Sequence, residues 1–254
     1  MPLARIQSVT RTFFEESSLN TPKQNQILAA LPAEEYARLL PHLELTQLPL
    51  GSVLHEPGVQ MDNAYFPVTG IISLLYVMRS GASAEIGLTG NEGLVGVSLF
   101  MGGESTTSRA VTQNASASYQ LKADILRKEF ALGGPLQNLA LRYTQALMTQ
   151  MTQTAACNRH HKLDQQLCRW LLLSLDRLRG DELTMTQQLI ANMLGVDLDG
   201  VAKALDKLQA AGLIRYTDGL ITVMDRPGLE KRVCECYEVV KKEFSRLLPY
   251  KLTN

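Results

Sequence analysis

Residues 183–214 read LTMTQQLIANMLGVDLDGVAKALDKLQAAGLI and hold the most specific pattern in the chain. Thr186 is a suitable N-cap for a short helix, and Gly195 permits the positive φ of a tight turn. Asp197 or Asp199 can cap a second helix after that turn. Apolar residues recur at helical spacing in both segments: Leu189, Ile190 and Met193 in the first, and Val201, Leu205 and Leu208 in the second. The pattern predicts a helix, a turn and a second helix.

The flanking residues predict the rest of a winged helix-turn-helix domain, at about residues 163–225. An amphipathic segment, residues 164–178, precedes the pair, and Gly212 provides a C-terminal cap for the second helix. Thr217-Asp218-Gly219 separates two short strand-like runs, and Asp-Gly is a strong hairpin signal. In such domains the second helix enters the major groove of DNA. A three-helix scaffold that contacts other proteins is the alternative interpretation.

The pattern changes between Leu43 and about Leu126. Runs of about four to eight residues rich in Val, Ile, Leu and Tyr alternate there with Gly, Asn, Pro and Ser. Turn signals fall roughly every ten residues, which is typical of compact antiparallel β folds. We therefore predict an N-terminal antiparallel β-roll of jelly-roll type, and an α+β chain as a whole.

A long helix is predicted from about Leu136 to His161, with Pro135 near its first turn. At 1.5 Å per residue it spans about 37 Å, which exceeds what a small sheet can cover. Its apolar residues lie on more than one face, so we expect one face on the β-roll and another on the same helix of a second copy. A long core helix inside a monomer is the alternative. The residues predicted for this dimer helix are Leu141, Tyr143, Leu147, Met148, Met151 and Ala155.

The composition predicts a two-domain cytoplasmic protein with no membrane partner. The chain has 254 residues, more than one domain usually holds, and 25 acidic against 25 basic residues, a balance that lends no support to a nucleic-acid partner. Four dispersed cysteines indicate a reducing compartment, and neither a signal peptide nor a membrane-spanning apolar run is evident. We expect four segments: a loose tail (1–22), a sensor β-roll (23–133), the dimerisation helix (134–161) and the winged-helix domain with a C-terminal helix (162–254).

The sequence does not predict an enzyme or a cofactor. It has no paired carboxylates, no Ser/His/Asp set and no phosphate loop in a supporting context, and its four histidines show no obvious partners. Cys234-Glu-Cys236, with His160 or His161, could form a thiolate–imidazole metal site. We instead interpret these cysteines as small thiols near helix ends and predict no metal.

The chain resembles the Crp/Fnr regulator family from about Ile27 to Tyr237. The resemblance implies a β-roll of the cyclic-nucleotide-binding type, a dimerisation helix and a winged helix. It also implies homodimers that bind palindromic DNA and contact RNA polymerase. The motifs that carry it are Ile27-Leu-Ala-Ala-Leu-Pro, Tyr65-Phe-Pro, Gly70-Ile-Ile-Ser, Gly90-Asn-Glu-Gly-Leu-Val-Gly, Cys157-Asn, Arg169-Trp-Leu-Leu, Met193-Leu-Gly-Val and Cys234-Glu-Cys-Tyr.

Two branches of that family do not fit. Cyclic-AMP-binding members carry a glutamate for the ribose and an arginine for the phosphate; here Gly96 stands at the glutamate position and Arg109 lies a few residues late. The iron–sulfur branch uses an N-terminal cysteine cluster, whereas no cysteine precedes Cys157. We expect no cyclic AMP binding, and another small effector, or none, remains open. The candidate effector-pocket residues are Glu92, Gly96, Ser98, Thr107 and Arg109.

The predicted recognition helix is unusually acidic. Family members that read DNA usually begin it with Ser-Arg-Glu or Arg-Arg, whereas here Leu198 stands at the arginine position between two aspartates. Residues 162–254 hold 14 Lys and Arg against 13 Asp and Glu, so the domain charge does not compensate. An interaction protein that has lost direct DNA reading, and acts through protein partners, is therefore the alternative function. The candidate DNA-binding residues are Thr186, Gln187, Gln188, Asp197, Leu198, Asp199, Lys203 and Lys207, with Arg215 as a further phosphate contact.

Overall fold

The computed structural model describes residues 20–249. Residues 1–19, most of the predicted tail, lie outside the described residues. A β-roll, a long helix and a winged-helix domain follow one another along the chain, which confirms the predicted fold class. No helix of residues 20–249 is both long and apolar enough to cross a membrane.

The β-roll consists of two antiparallel sheets. One has the strand order β1-β7-β3 and the other the order β2-β6-β4-β5. Side chains alternate along the strands, as in β3, where Ala64 and Phe66 are fully buried and Tyr65 is half-buried. The strands are β1 Glu44–Leu48, β2 Val53–His55, β3 Asn63–Pro67, β4 Ile72–Val77, β5 Ser83–Thr89, β6 Arg109–Thr112 and β7 Ser116–Lys122. Short helices flank them: α1 Gln26–Ala29, α2 Ala33–Leu39 and α3 Ala123–Ala131.

The long helix, α4, spans Pro135–His160. Pro135 is its first residue, and the buried Glu35 carboxylate accepts from the Leu136 amide at 3.2 Å, so an anion from α2 satisfies the helix N-terminus. The middle of α4 packs closely on the β-roll at Gly93. A Cβ there would lie 2.2 Å from the ring of Tyr143, whose hydroxyl pairs with Thr89 at 2.8 Å.

The winged-helix domain confirms the pattern of residues 183–214. Thr186 caps α6 (Gln187–Leu194) by accepting from the Leu189 amide, Gly195 ends that helix with φ of 68°, and Asp197 caps α7 (Leu198–Ala210). The third sheet has the order β8-β10-β9, and β9 and β10 form the predicted wing hairpin. The elements are α5 Leu163–Leu175, β8 Glu182–Thr184, α6 Gln187–Leu194, α7 Leu198–Ala210, β9 Ile214–Thr217, β10 Leu220–Val223, α8 Arg226–Arg232 and α9 Glu235–Leu247.

Candidate DNA-binding surface, sensor cavity and cysteine cluster

The N-terminus of α7 is open to solvent, but its carboxylates already have partners. Leu198 is 46% exposed. Asp197 accepts from the Gly200 amide at 2.6 Å, and Asp199 pairs with Lys203 at 2.5 Å. One aspartate therefore acts as the helix cap and the other neutralises a lysine, so this surface offers DNA an apolar side chain and an ion pair.

The other candidate DNA-binding residues lie on the outside of the same helix pair. Thr186 and Lys207 are exposed, and Gln188 is exposed but donates to the Asn192 amide oxygen at 3.1 Å. Gln187 is only half-buried, so part of its side chain remains accessible. Arg215 is exposed on β9 of the wing, where it can reach a phosphate.

A small cavity of about 70 Å³ lies between the β-roll and α4. Two of the candidate effector-pocket residues, Gly96 and Ser98, line this cavity. Leu147 and Met151 of α4 close one side of it. Its remaining lining is mostly apolar, and burial lowers the pKa of His55 to about 4, which keeps that ring neutral at physiological pH. A pocket for a drug-sized ligand usually measures about 300–1,000 Å³, so in this conformation the cavity is smaller than a nucleotide needs.

Three candidate effector residues do not line this cavity, and their placement corrects the prediction. Thr107 is exposed, since the chain here turns Thr106 and Ser108 inward instead. Arg109 points away to pair with Glu56 at 2.9 Å, with both side chains partly exposed. Glu92 is fully buried in contact with the C-terminal domain.

Glu92 forms a fully buried ion pair between the two domains. Its carboxylate accepts from Arg177 Nε at 2.7 Å, and both side chains are completely buried. Arg177 also donates to the Leu173 carbonyl at 2.7 Å and lies over the ring of Phe244. The pair therefore attaches the turn after β5 to the end of α5. Sequence reasoning missed Arg177, because nothing local marks it as a partner of a residue 85 positions away.

The predicted dimer-helix residues divide between two faces of α4. Leu141, Met148 and Ala155 are exposed. Tyr143 and Leu147 are buried against the β-roll, and Met151 is half-buried beside the cavity, so these three belong to the core and not to a dimer surface. The list of predicted dimer contacts therefore includes core residues, and contact through the exposed face stays a prediction.

Glu85 is a second buried carboxylate near the domain junction. Gln113 donates to it at 3.3 Å, and burial raises the pKa of Glu85 to about 7, an effect that Arg169 and Arg177 only partly oppose. The folded protein therefore binds the proton of the Glu85 carboxyl group more tightly than the unfolded chain does. The protonated side chain contributes its full stabilisation below about pH 4.5, and this contribution is lost as the pH rises through 7.

We expect Glu85→Gln to remove this pH dependence. Wild type should lose stability between about pH 4.5 and 7, whereas the variant should not. The difference in the free energy of unfolding, variant minus wild type, should therefore rise by roughly 3 kcal/mol over this range and stay constant at higher pH. Urea unfolding at a series of pH values measures it, with the exposed Glu182→Gln as the control. A difference that stays constant with pH would contradict the assignment.

Four side chains of metal-ligand type meet at the end of α4. Cys157, His161, Cys234 and Cys236 place their ligand atoms within 4.8 Å of one another. The sulfurs of Cys157 and Cys234 are 3.5 Å apart, and Cys236 Sγ lies 3.6 Å from His161 Nδ1. The hydrogen bond between these two sulfurs lowers the pKa of the Cys234 thiol. This grouping corrects the expectation that the histidines lack partners.

Two sequence profiles match the chain. The cyclic nucleotide-binding domain matches residues 45–131, and the Crp-like helix-turn-helix domain matches residues 165–232. Together they span more than half of the chain, in the family's order. The chain belongs to the Crp/Fnr family of transcription regulators.

Solved structures of regulators share this fold. FixK2 from Bradyrhizobium japonicum is 16% identical with a TM-score of 0.64, covering 76% of this chain and 98% of its own. TTHB099 from Thermus thermophilus, of the CRP family, is 16% identical with a TM-score of 0.63, covering 74% of this chain and 95% of its own. CLP from Xanthomonas campestris, described as responsive to c-di-GMP, is 17% identical with a TM-score of 0.62, covering 76% of this chain and 100% of its own. A comparison with curated proteins finds no match.

Proposed function

We propose that the protein is a homodimeric transcription regulator that binds DNA through α7 under the control of its β-roll. The observation that carries the proposal is the open N-terminus of α7, with Leu198, Asp199 and Lys203 exposed on a correctly capped recognition helix. Lys207 and Arg215 supply cations at its flank and on the wing. Contact with RNA polymerase stays a prediction from the family resemblance.

The exposed stripe of α4 supports a homodimer. Leu141, Gln145, Met148, Thr152 and Ala155 are all exposed and recur at alternating intervals of four and three residues. That spacing places them on the a and d positions of a coiled coil, which faces a second helix. A parallel pair of α4 helices would set two recognition helices against successive turns of a palindromic site.

The cavity supports sensing by something other than cyclic AMP. Gly96 lines it where cyclic-AMP-binding relatives carry glutamate, and Arg109 is turned away to Glu56. A ribose and a charged phosphate would thus lose their charge-assisted bonds. Because Leu147 and Met151 line the cavity from α4, a ligand that enlarged it would move the helix that bears the proposed dimer stripe.

A specific observation also favours a second function. Asp197 and Asp199 place two carboxylates where DNA phosphates would approach, and Asp199 already occupies Lys203. A protein that binds protein partners through this surface, without reading DNA, would not need the arginine that DNA-reading family members carry at the position of Leu198. The two functions differ in what the chain enriches from random DNA.

Selection from a pool of random duplexes tests the proposal. We expect wild type to enrich a palindrome with half-sites about one helical turn apart. Met148→Glu should abolish the palindrome and convert the protein to a monomer in sedimentation, because it places like charges in the proposed dimer stripe. Leu132→Glu, at an exposed leucine outside α4, is the matched control and should leave both unchanged.

The outcomes separate the two functions. A homodimer that enriches nothing at low salt would overturn DNA reading and support the interaction protein. A palindrome that survives Met148→Glu would overturn the assigned dimer surface.

A further inference from the structure

The cluster of Cys157, His161, Cys234 and Cys236 joins two parts of the molecule that are far apart in sequence. Cys157 lies in the last turn of α4 and His161 follows the end of that helix, four residues later. Cys234 is the N-cap of α9, and Cys236 lies in its first turn. The cluster therefore bridges the end of the proposed dimer helix and the start of the last helix, beside the short connection to α5.

We propose that these four side chains form a tetrahedral zinc site. A zinc ion with Zn–S bonds of about 2.3 Å holds its sulfur ligands about 3.8 Å apart. The observed separations of 3.5 Å between Cys157 and Cys234 sulfurs, and 3.6 Å between Cys236 sulfur and His161 Nδ1, are close to that geometry. Three thiolates and one imidazole are a standard structural zinc set, and ligand atoms this close enclose one ion.

The groups around the cluster are arranged as they are around bound metals. His161 Nε2 lies 3.3 Å from the Glu235 carboxylate, so that nitrogen carries the proton and Nδ1 keeps its lone pair facing the sulfurs. Gln166 donates to the His161 carbonyl at 2.9 Å and holds the backbone in place.

Burial and charge favour an ion over free thiols. Cys157, Cys234 and Cys236 are each less than 5% exposed, and in the described chain they form a small buried cluster separate from the main core, with Val233 packed against it. The fully charged Zn–thiolate centre would carry one net negative charge. The buried Arg169 donates to Thr154 Oγ1 of α4 at 3.1 Å, one turn before Cys157, so its positive charge would offset that of the centre.

Metal analysis of the purified full-length protein tests the site. We expect one zinc ion per chain in wild type, and near-complete loss in Cys236→Ser and in His161→Ala. The chain offers matched controls: Cys168→Ser changes a buried cysteine outside the cluster, and His160→Ala changes the exposed neighbouring histidine. Both controls should retain the metal. Equal loss in a control and its matched ligand variant would overturn the assignment.

Cobalt gives a readout that does not depend on whether the variants fold. Wild type stripped of metal and titrated with Co²⁺ should develop the intense visible bands of a tetrahedral cobalt–thiolate centre, saturate at one equivalent, and lose them when Zn²⁺ is added. Zinc should also raise the Tm of the stripped protein. A protein that binds neither ion, or that contains a Cys157–Cys234 disulfide when prepared without oxygen, would overturn the proposal.

Discussion

Replacing Arg177 with methionine is expected to lower the free energy of unfolding by about 3–5 kcal/mol, because it removes the guanidinium that pairs with the buried Glu92 carboxylate. Both side chains of this pair are fully buried, and the Nε–Oε1 distance is 2.7 Å. The Gly90 amide also donates to that carboxylate at 3.0 Å, but a neutral donor does not replace the charge of a guanidinium. The midpoint of urea unfolding measures the loss.

Two further variants show whether the loss of stability comes from breaking the buried ion pair. The double variant Glu92→Leu/Arg177→Met removes both charges and should be more stable than Arg177→Met alone. Arg109→Met breaks the partly exposed pair with Glu56 and should lower stability by less than about 1 kcal/mol. If Arg177→Met cost no more than Arg109→Met, the buried pair would not hold the domains together.

The second large effect concerns the acidic recognition helix. Leu198→Arg combined with Asp197→Ser should raise DNA affinity by about tenfold or more. A single bidentate arginine–guanine contact is worth about 1–3 kcal/mol, and about 1.4 kcal/mol is a factor of ten. The two substitutions should not disturb the fold, because a serine at position 197 can also accept from the Gly200 amide as N-cap and residue 198 is exposed.

A control with the same change in net charge separates base reading from simple attraction. Asp206→Ser combined with Ala210→Arg alters two exposed residues near the other end of α7. Each protein is measured by fluorescence anisotropy on its own best selected duplex at one salt concentration. We expect only a small gain for the control. Similar gains in DNA affinity for both variants would mean that the native α7 lacks positive charge, and not specifically an arginine that contacts guanine.

How far the sequence predicted the candidate sites depended on the range of the interactions involved. The caps at Thr186 and Asp197 and the turn at Gly195 act within four residues, and their pattern was readable directly. Thr107 was predicted one position away from the residues that turn inward, because an irregular loop has no period that fixes which side chain faces the cavity.

The amino-acid sequence by itself determined the winged helix-turn-helix, the β-roll and the long helix. Their signals are local: hydrophobic periods, caps and turn residues that favour one backbone conformation. Only the tertiary structure paired Glu92 with Arg177 and turned Tyr143 and Leu147 into the core. It also brought Cys157 to within 3.5 Å of Cys234, across 77 positions of sequence. Such contacts depend on how the finished elements pack, and no property of either segment alone specifies its partner.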